Sequence, residues 1–306
     1  MRIFVVILNW NRPDDTIKCL ESVYKLSVAG FQLLVVVVDN GSTDDSIDRI
    51  QKSKVIKQKL KFEIIRNREN LGFAGGNNVG LRHALDNGAD YVLVLNNDTR
   101  VDPDLLIQMI EVAKKYPELG IASPKIYFEE GFEFHKKRYI KSDLGNILWY
   151  AGGEIDWDNV YGKTRGVDEV DKRQYDKIEE TDFGTGTCML INVKALERVG
   201  LFGEKYFMYF EDVDLSVRMK KKGWKVIYVP RARLWHKVAQ SSRIGSNLND
   251  YYITRNRLLF GYRYARIRTK LALFRESMRF VWSGRDTQKK GVVDFYLGRF
   301  GKGSWH

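Results

Sequence analysis

The sequence has 306 residues, 44% hydrophobic and 29% charged, the make-up of a globular chain long enough to bury a sizeable core. No apolar run nears the ~18 residues of a membrane-spanning helix, the apolar run over 3–8 is too short for a signal peptide, and two distant cysteines give no disulfide framework or zinc pattern. The net charge of +12 is concentrated in residues 251–306, where thirteen Lys and Arg face three acids, which argues against a uniformly basic nucleic-acid-binding protein.

Residues 3–9 form a continuous apolar run, the pattern of a parallel strand covered on both faces. Pro13 opens a helix with Ile17, Leu20, Val23 and Tyr24 at helical spacing. Residues 33–39 are a second buried strand, and the turn Gly41-Ser42-Thr43-Asp44 caps a helix from about Asp45. A more polar strand over 61–66, a helix over 75–86, a strand over 91–95, a helix over 103–116 and a strand over 119–123 follow. This alternation predicts an α/β fold with a mostly parallel, Rossmann-like sheet flanked by helices. Over 125–180 the periodicity disappears; charge, aromatics and the turn signals Gly152-Gly153 and Gly162 predict an insertion of short strands and loops on the acceptor side. A strand over 184–192, a helix over 193–199, a helix from Glu211 to 222 and a strand over 225–229 complete the body. From Asn249 a helical tail begins, with Tyr252, Leu258, Leu259 and Tyr262 on one side.

The strand ends carry the chemistry. The first strand runs into Asn9-Trp10-Asn11 rather than a Gly-x-Gly-x-x-Gly turn, which disfavours a dinucleotide-dependent dehydrogenase. Asp39 ends the second strand, placed either to accept the imide N–H of a uracil or thymine ring or to organise the turn at Asn40-Gly41-Ser42. The glycines of Asn70-Leu71-Gly72-Phe73-Ala74-Gly75-Gly76-Asn77 permit close backbone approach to an anionic ligand. Asp98, after Asn96-Asn97, offers a hard oxygen for a divalent cation carrying a diphosphate, with Asn96 or Asn97 on the ribose or diphosphate. Glu211 and Asp212 diverge by about 100 degrees on a helix, so one is expected to face the cleft as a general base while the other anchors the loop; Asp214 reads as a capping residue. His236 has room on the same metal, while His83, His135 and His306 read as surface or packing residues.

These motifs, in this order, resemble glycosyltransferase family 2. The similarity is greatest to the rhamnosyltransferase-like branch that builds surface polysaccharides, and the tail Val292-Val293-Asp294-Phe295-Tyr296-Leu297-Gly298-Arg299-Phe300-Gly301-Lys302 resembles that branch too. The resemblance implies a GT-A fold, a cytosolic enzyme and inversion at the sugar carbon. It assigns Asn9, Asn11, Asp39, Gly41, Asn70, Gly72, Gly75, Asn77, Asn96 and Asn97 to the donor, with Asp39 on the pyrimidine. Asp98 and His236 are assigned to Mg²⁺ or Mn²⁺, Asp212 to the catalytic base, and Glu211, Gly186 and Trp235 to the acceptor side. Asn96 stands where the family's Asp-x-Asp motif begins with an acid, which leaves that contact neutral.

The expected organisation is a nucleotide-sugar half over 1–123, an acceptor and catalytic half over 124–245, and a basic, aromatic helical extension over 246–306. The implied donor is a nucleoside-diphosphate sugar, dTDP-rhamnose first and a UDP-sugar second, and the acceptor is a glycan or a lipid-linked glycan. Arg255, Arg257, Arg263, Arg266, Arg268 and Lys270 alternate with Tyr262, Tyr264, Leu271 and Phe274, which suggests contact with the inner, anionic face of the cell membrane. Two other readings stand beside this one. A nucleotidyltransferase would carry a Gly-rich basic loop after its first strand, absent here; a nucleic-acid-binding protein is suggested by charge alone.

Overall fold

The computed structural model describes residues 1–55, 61–238 and 245–305. Strands β1 (Arg2–Asn9), β2 (Gln32–Asp39), β3 (Lys61–Arg66) and β4 (Tyr91–Asn96) pair in parallel in the order β4-β1-β2-β3. Their β-branched residues serve two covered faces. Ile3, Val5 and Ile7 enter one core and Phe4 and Val6 the other, as the two-residue strand period requires. Helices α1 (Pro13–Val23), α2 (Ser46–Lys52) and α3 (Gly72–Asp86) connect these strands. Pro13 stands in the first turn of α1, where no backbone donor is lost. Helix α3 starts three residues earlier than the pattern predicts. Its glycines let it press onto the sheet, for a Cβ on Gly76 would lie 2.5 Å from Leu8 and one on Gly80 2.4 Å from Val6.

Beyond β4 the chain forms β5 (Thr99–Val101), α4 (Leu105–Lys115) and β6 (Leu119–Phe128). Short strands β7 (Leu148–Tyr150), β8 (Gly153–Asp156), β9 (Tyr161–Thr164) and β10 (Glu179–Glu180) fill the aperiodic segment. Then come β11 (Cys188–Asn192), α5 (Val193–Val199), α6 (Glu211–Lys221) and β12 (Lys225–His236). The full sheet runs β10-β12-β6-β11-β4-β1-β2-β3. β6 and β12 pair in parallel, while β11 lies antiparallel between β4 and β6 and makes the sheet mixed.

Two strands outrun their expected ends. β6 continues through Lys125, which is 2% exposed, because its ammonium meets Asp171 at 2.9 Å and Asp176 at 2.6 Å. β12 continues past Pro230 by a register shift between Val229 and Arg233. That extension carries His236 to the strand's last position. β5 pairs with this end, setting Thr99 opposite His236, and the Lys237 N–H donates to the Asp98 carbonyl at 3.0 Å.

The C-terminal region is helical: α7 (Asn247–Tyr264), α8 (Ile267–Ser283) and α9 (Asp286–Tyr296). No helix among the described residues is long and apolar enough to cross a membrane. Cys19 and Cys188 are free and buried, and burial pushes the Cys19 thiol up to about 12.

Candidate active site

Two cavities of about 290 and 350 Å³ open at the carboxyl ends of β1 and β4, and they share Phe73, Asn96, Asp98 and Met208. Their size is that of a small-molecule site, and their position is where α/β sheets bind ligands. The first is lined by Trp149, Thr185, Gly186, Thr187, Tyr209, Glu211, Asp212 and His236, among others. The second is lined by Leu8, Trp10, Arg12, Asn40, Asn70, Gly72, Asn97, Phe207, Leu248, Lys302 and Trp305 as well.

Asp98 and His236 meet at the boundary of the two. The β5–β12 ladder brings Asp98 Oδ1 to 3.1 Å from His236 Nε2. The separation suits a hydrogen bond, but the N–H is not aligned for one, and both Asp98 Oδ1 and His236 Nδ1 are buried without a partner. Two ligands about 2.1 Å from one ion and at right angles to it lie about 3 Å apart, so the pair fits neighbouring positions on a divalent cation. Among the described residues no group of three or more His, Cys, Asp and Glu side chains is placed to hold an ion. Any further ligands would come from water or a bound phosphate. Trp149 packs edge-on against His236 at 5.0 Å and fixes its ring.

Glu211 and Asp212 both line the first cavity, which corrects the expectation that only one would. They stand in the first turn of α6 behind Phe207, Tyr209 and Phe210, three non-glycine residues with positive φ. Asp212 Oδ2 accepts from the Gly186 N–H at 2.9 Å and Oδ1 from the Val213 N–H at 2.8 Å. Burial raises the Asp212 pKa against these N–H groups, which favour its charged form. Glu211 has an unpartnered buried oxygen, and burial plus the neighbouring Asp212 charge hold its carboxyl well above the usual range. Both carboxyls are thus held above their usual ranges, and the charge on one bears on the proton of the other. Asp214 is more than a cap: fully buried, it accepts from Tyr206, Tyr264, Arg218 and Arg263.

The strained segment before α6 is held from α7. Arg255, 0% exposed, donates to the carbonyls of Lys205 and Tyr206, and Asn256 Nδ2 to those of Tyr206, Met208 and Tyr209. Gly72, at φ +73°, makes room for this segment, since a Cβ there would lie 2.5 Å from the Phe207 carbonyl oxygen.

Several expected donor residues stand behind the wall rather than in it. Asn9 is buried, donating to Asp39 Oδ1 at 3.0 Å and accepting from Thr16. Asp39 Oδ2 accepts from the Ser42 N–H at 3.3 Å, so the carboxylate organises the turn and does not line either cavity. Asn11 accepts from the Thr43 N–H, Gly41 packs on the Glu69 backbone, Gly75 on Leu71, and Asn77 donates to the Phe73 carbonyl. Asn70, Gly72, Asn96 and Asn97 do reach the second cavity, and Gly186 the first.

Trp235 lies off the site, which corrects its acceptor-side assignment. It is one residue from His236 on a strand and faces the other way, donating to the Gly145 carbonyl and stacking on Tyr127. Trp149 takes that place; it sits in the aperiodic segment, where no spacing marks it. No pattern in the sequence marks Arg12, Asn40, Lys302 or Trp305 either, although Lys302 ends the tail motif. His83 pairs with Glu63 and His135 with Asp168, away from the cavities, and His306 lies outside the described residues.

The family profile described as "Glycosyl transferase family 2" matches residues 4–200, and that described as "Glycosyl transferase family group 2" matches residues 156–286. The chain belongs to glycosyltransferase family 2. It is 28% identical over 220 residues to the N-acetylglucosaminyl-diphospho-decaprenol L-rhamnosyltransferase of Mycobacterium tuberculosis, covering 68% of this chain and 67% of that one. It is 25% identical over 258 residues to the low-salt glycan biosynthesis hexosyltransferase Agl10 of Haloferax volcanii, covering 83% and 74%. Among solved structures, the mannosyltransferase PcManGT of Pyrobaculum calidifontis, in complex with GDP-Man and Mn²⁺, superposes with a TM-score of 0.58 at 15% identity, covering 97% of this chain and 74% of that one. The fold is GT-A, and the protein is a glycosyltransferase. Membership of this family sets aside the nucleotidyltransferase and nucleic-acid readings.

Proposed function

We propose that this family 2 enzyme moves a sugar from a nucleoside diphosphate to a hydroxyl of a glycan or lipid-linked acceptor, with inversion and with Mg²⁺ or Mn²⁺ at Asp98 and His236. The observation that carries the reading is that Asp98–His236 and Glu211–Asp212 face one cavity. The nucleotide takes the second cavity, its diphosphate lies at Asp98, and the sugar enters the first. Residues 1–123 hold chiefly the donor and 124–245 the acceptor. dTDP-rhamnose is the first choice of donor, supported by similarity to the mycobacterial rhamnosyltransferase, and a UDP-sugar is the second.

Asp212 takes the proton of the acceptor hydroxyl while that oxygen bonds to the anomeric carbon. The bond from that carbon to the diphosphate oxygen breaks, and the leaving group keeps the electron pair. Glu211, protonated, donates a hydrogen bond to a sugar oxygen. A divalent cation, when bound, neutralises charge on the departing diphosphate. No covalent enzyme intermediate is needed. Asp212→Asn is expected to lower transfer by roughly 10²–10⁴-fold with nucleotide affinity unchanged. Product configuration, read by NMR, is expected to be inverted; wild-type turnover in Asp212→Asn, or retained configuration, overturns the assignment.

The membrane reading moves from the tail as a whole to α8. Arg255 and Arg257 are buried, Arg263 and Tyr264 bind Asp214, and Arg257 pairs with Glu276. On α8, Ile267, Leu271, Phe274, Val281 and Trp282 are exposed at helical spacing, Trp282 by 86%. Arg266, Arg268, Arg275 and Arg279 flank them, without carboxylate partners among the described residues. A second copy placed on this face would oppose these charges to themselves, whereas an anionic lipid surface complements them. Flotation with phosphatidylglycerol vesicles is the test: Trp282→Ser is expected to reduce it, and wild-type protein remaining at the bottom at low salt contradicts it.

A further inference from the structure

We propose that the C-terminal segment forms a wall of the donor cavity and that Lys302 is a cationic contact for the nucleoside diphosphate. The proposal rests on the donor-site reading above. After α9 the chain turns back to the sheet, and Lys302 and Trp305 join the lining of the second cavity beside Asn97 and Asp98.

The backbone of this segment is pinned along its length. The Gly301 N–H donates to the Lys205 carbonyl at 2.9 Å, and Arg255 Nη1 to the Gly301 carbonyl at 2.8 Å. The Tyr252 hydroxyl donates to the Lys302 carbonyl at 3.0 Å. Ser304 donates to the buried Asp294 from its N–H at 2.8 Å and from its hydroxyl at 2.6 Å. Gly303 turns at φ +62°, where a Cβ would lie 2.1 Å from the Tyr251 hydroxyl.

Burying a guanidinium is costly unless its donors are used. Here a fully buried arginine, two tyrosines and an aspartate fix residues 301–304, whose own side chains add little to the core. The side chain this arrangement delivers is Lys302. It is exposed and has no carboxylate partner among the described residues, so its charge is free for a ligand. A nucleoside diphosphate brings about three negative charges to a cavity that already holds Asp98. A divalent cation offsets part of that charge, and a lysine in the same lining offsets more, at the cost of little desolvation. Arg255 is a positioning residue in this arrangement, since it holds Lys302's neighbour Gly301 and the Lys205–Tyr206 carbonyls at once.

The experiment measures binding of UDP, dTDP and GDP with Mn²⁺ by calorimetry to wild type, Lys302→Met and Lys302→Arg. Lys302→Met is expected to weaken the diphosphate that wild type binds by about tenfold, and Lys302→Arg to keep it, with the ligand-free Tm of all three alike. Wild-type affinity in Lys302→Met overturns the proposal and leaves the donor site standing. Equal weakening in Lys302→Arg and Lys302→Met also overturns it, because shape rather than charge then matters. If wild type binds none of the three, the donor-site reading falls together with the proposal.

Discussion

Asp98 Oδ1 and His236 Nε2 lie 3.1 Å apart across the β5–β12 ladder without an aligned hydrogen bond between them. A buried carboxylate oxygen is rarely left so. A cation there would give Asp98 Oδ1 a partner, with His236 Nε2 beside it at the end of the long last strand. Asp98→Ala is expected to cost roughly a hundredfold or more in Mn²⁺-dependent turnover, and His236→Ala less, since the carboxylate carries the charge. Titration of activity against Mn²⁺ checks this; equal metal dependence in wild type and Asp98→Ala contradicts it.

The pH dependence of turnover follows from Asp212. Its pKa is raised by burial, and only the ionised form accepts a proton, so kcat falls as the pH drops through the raised value. The acid limb of the kcat profile is expected above the ordinary aspartate range near about 4. A limb at or below that range would mean that another group is the base.

Glu211 gives a stability prediction with a definite sign. Its folded-state pKa is raised, so it favours the folded state only below the unfolded glutamate value, and this contribution is lost as pH rises through the folded one. Glu211→Gln is therefore expected to raise Tm at neutral pH, with the gain shrinking as pH falls towards about 4 and gone below it. Thermal melts across pH check it, and a variant less stable than wild type at pH 7 would contradict it.

Arg255 supports both the segment before α6 and the C-terminal wall. Arg255→Met leaves the Gly301 carbonyl without its donor, while the Lys205 carbonyl keeps the Gly301 N–H and the Tyr206 carbonyl keeps Asn256 Nδ2. One unpaired carbonyl costs about 1–3 kcal/mol, and a loss of at least about 1 kcal/mol in urea unfolding is expected. Arg255→Lys is expected to recover little of it, because an ammonium cannot span the guanidinium's fork.

Much of this was legible in the sequence, for physical reasons. The strands β1, β2 and β4 are nearly continuous apolar runs, and Asn96-Asn97-Asp98 and Glu211-Asp212 stand at ends of elements whose periods are plain. What stayed hidden depends on tertiary partners. β6 runs on through Lys125 only because Asp171 and Asp176, far along the chain, neutralise it. Trp149 and Trp235 are equally aromatic, and only the direction of β12 and the β6–β7 pairing decide which one meets His236. Asp39 reads as a base contact or as a turn organiser, and its bonds to Asn9 and Ser42, which tie it into the turn, come from partners that no strand pattern marks. The basic tail looked uniform, yet Arg255 is buried and Arg266 is exposed, a division set by which helix packs on the enzyme.

The most direct test of the central claim is the melting temperature of wild type and Asp98→Ala with UDP, dTDP, GDP, CDP, ADP and NAD, each with and without Mn²⁺. A ligand that binds only the folded state raises Tm by mass action. The account predicts a rise with dTDP or UDP in wild type that requires Mn²⁺ and is absent in Asp98→Ala. A rise with NAD alone, or no rise with any diphosphate, would contradict it.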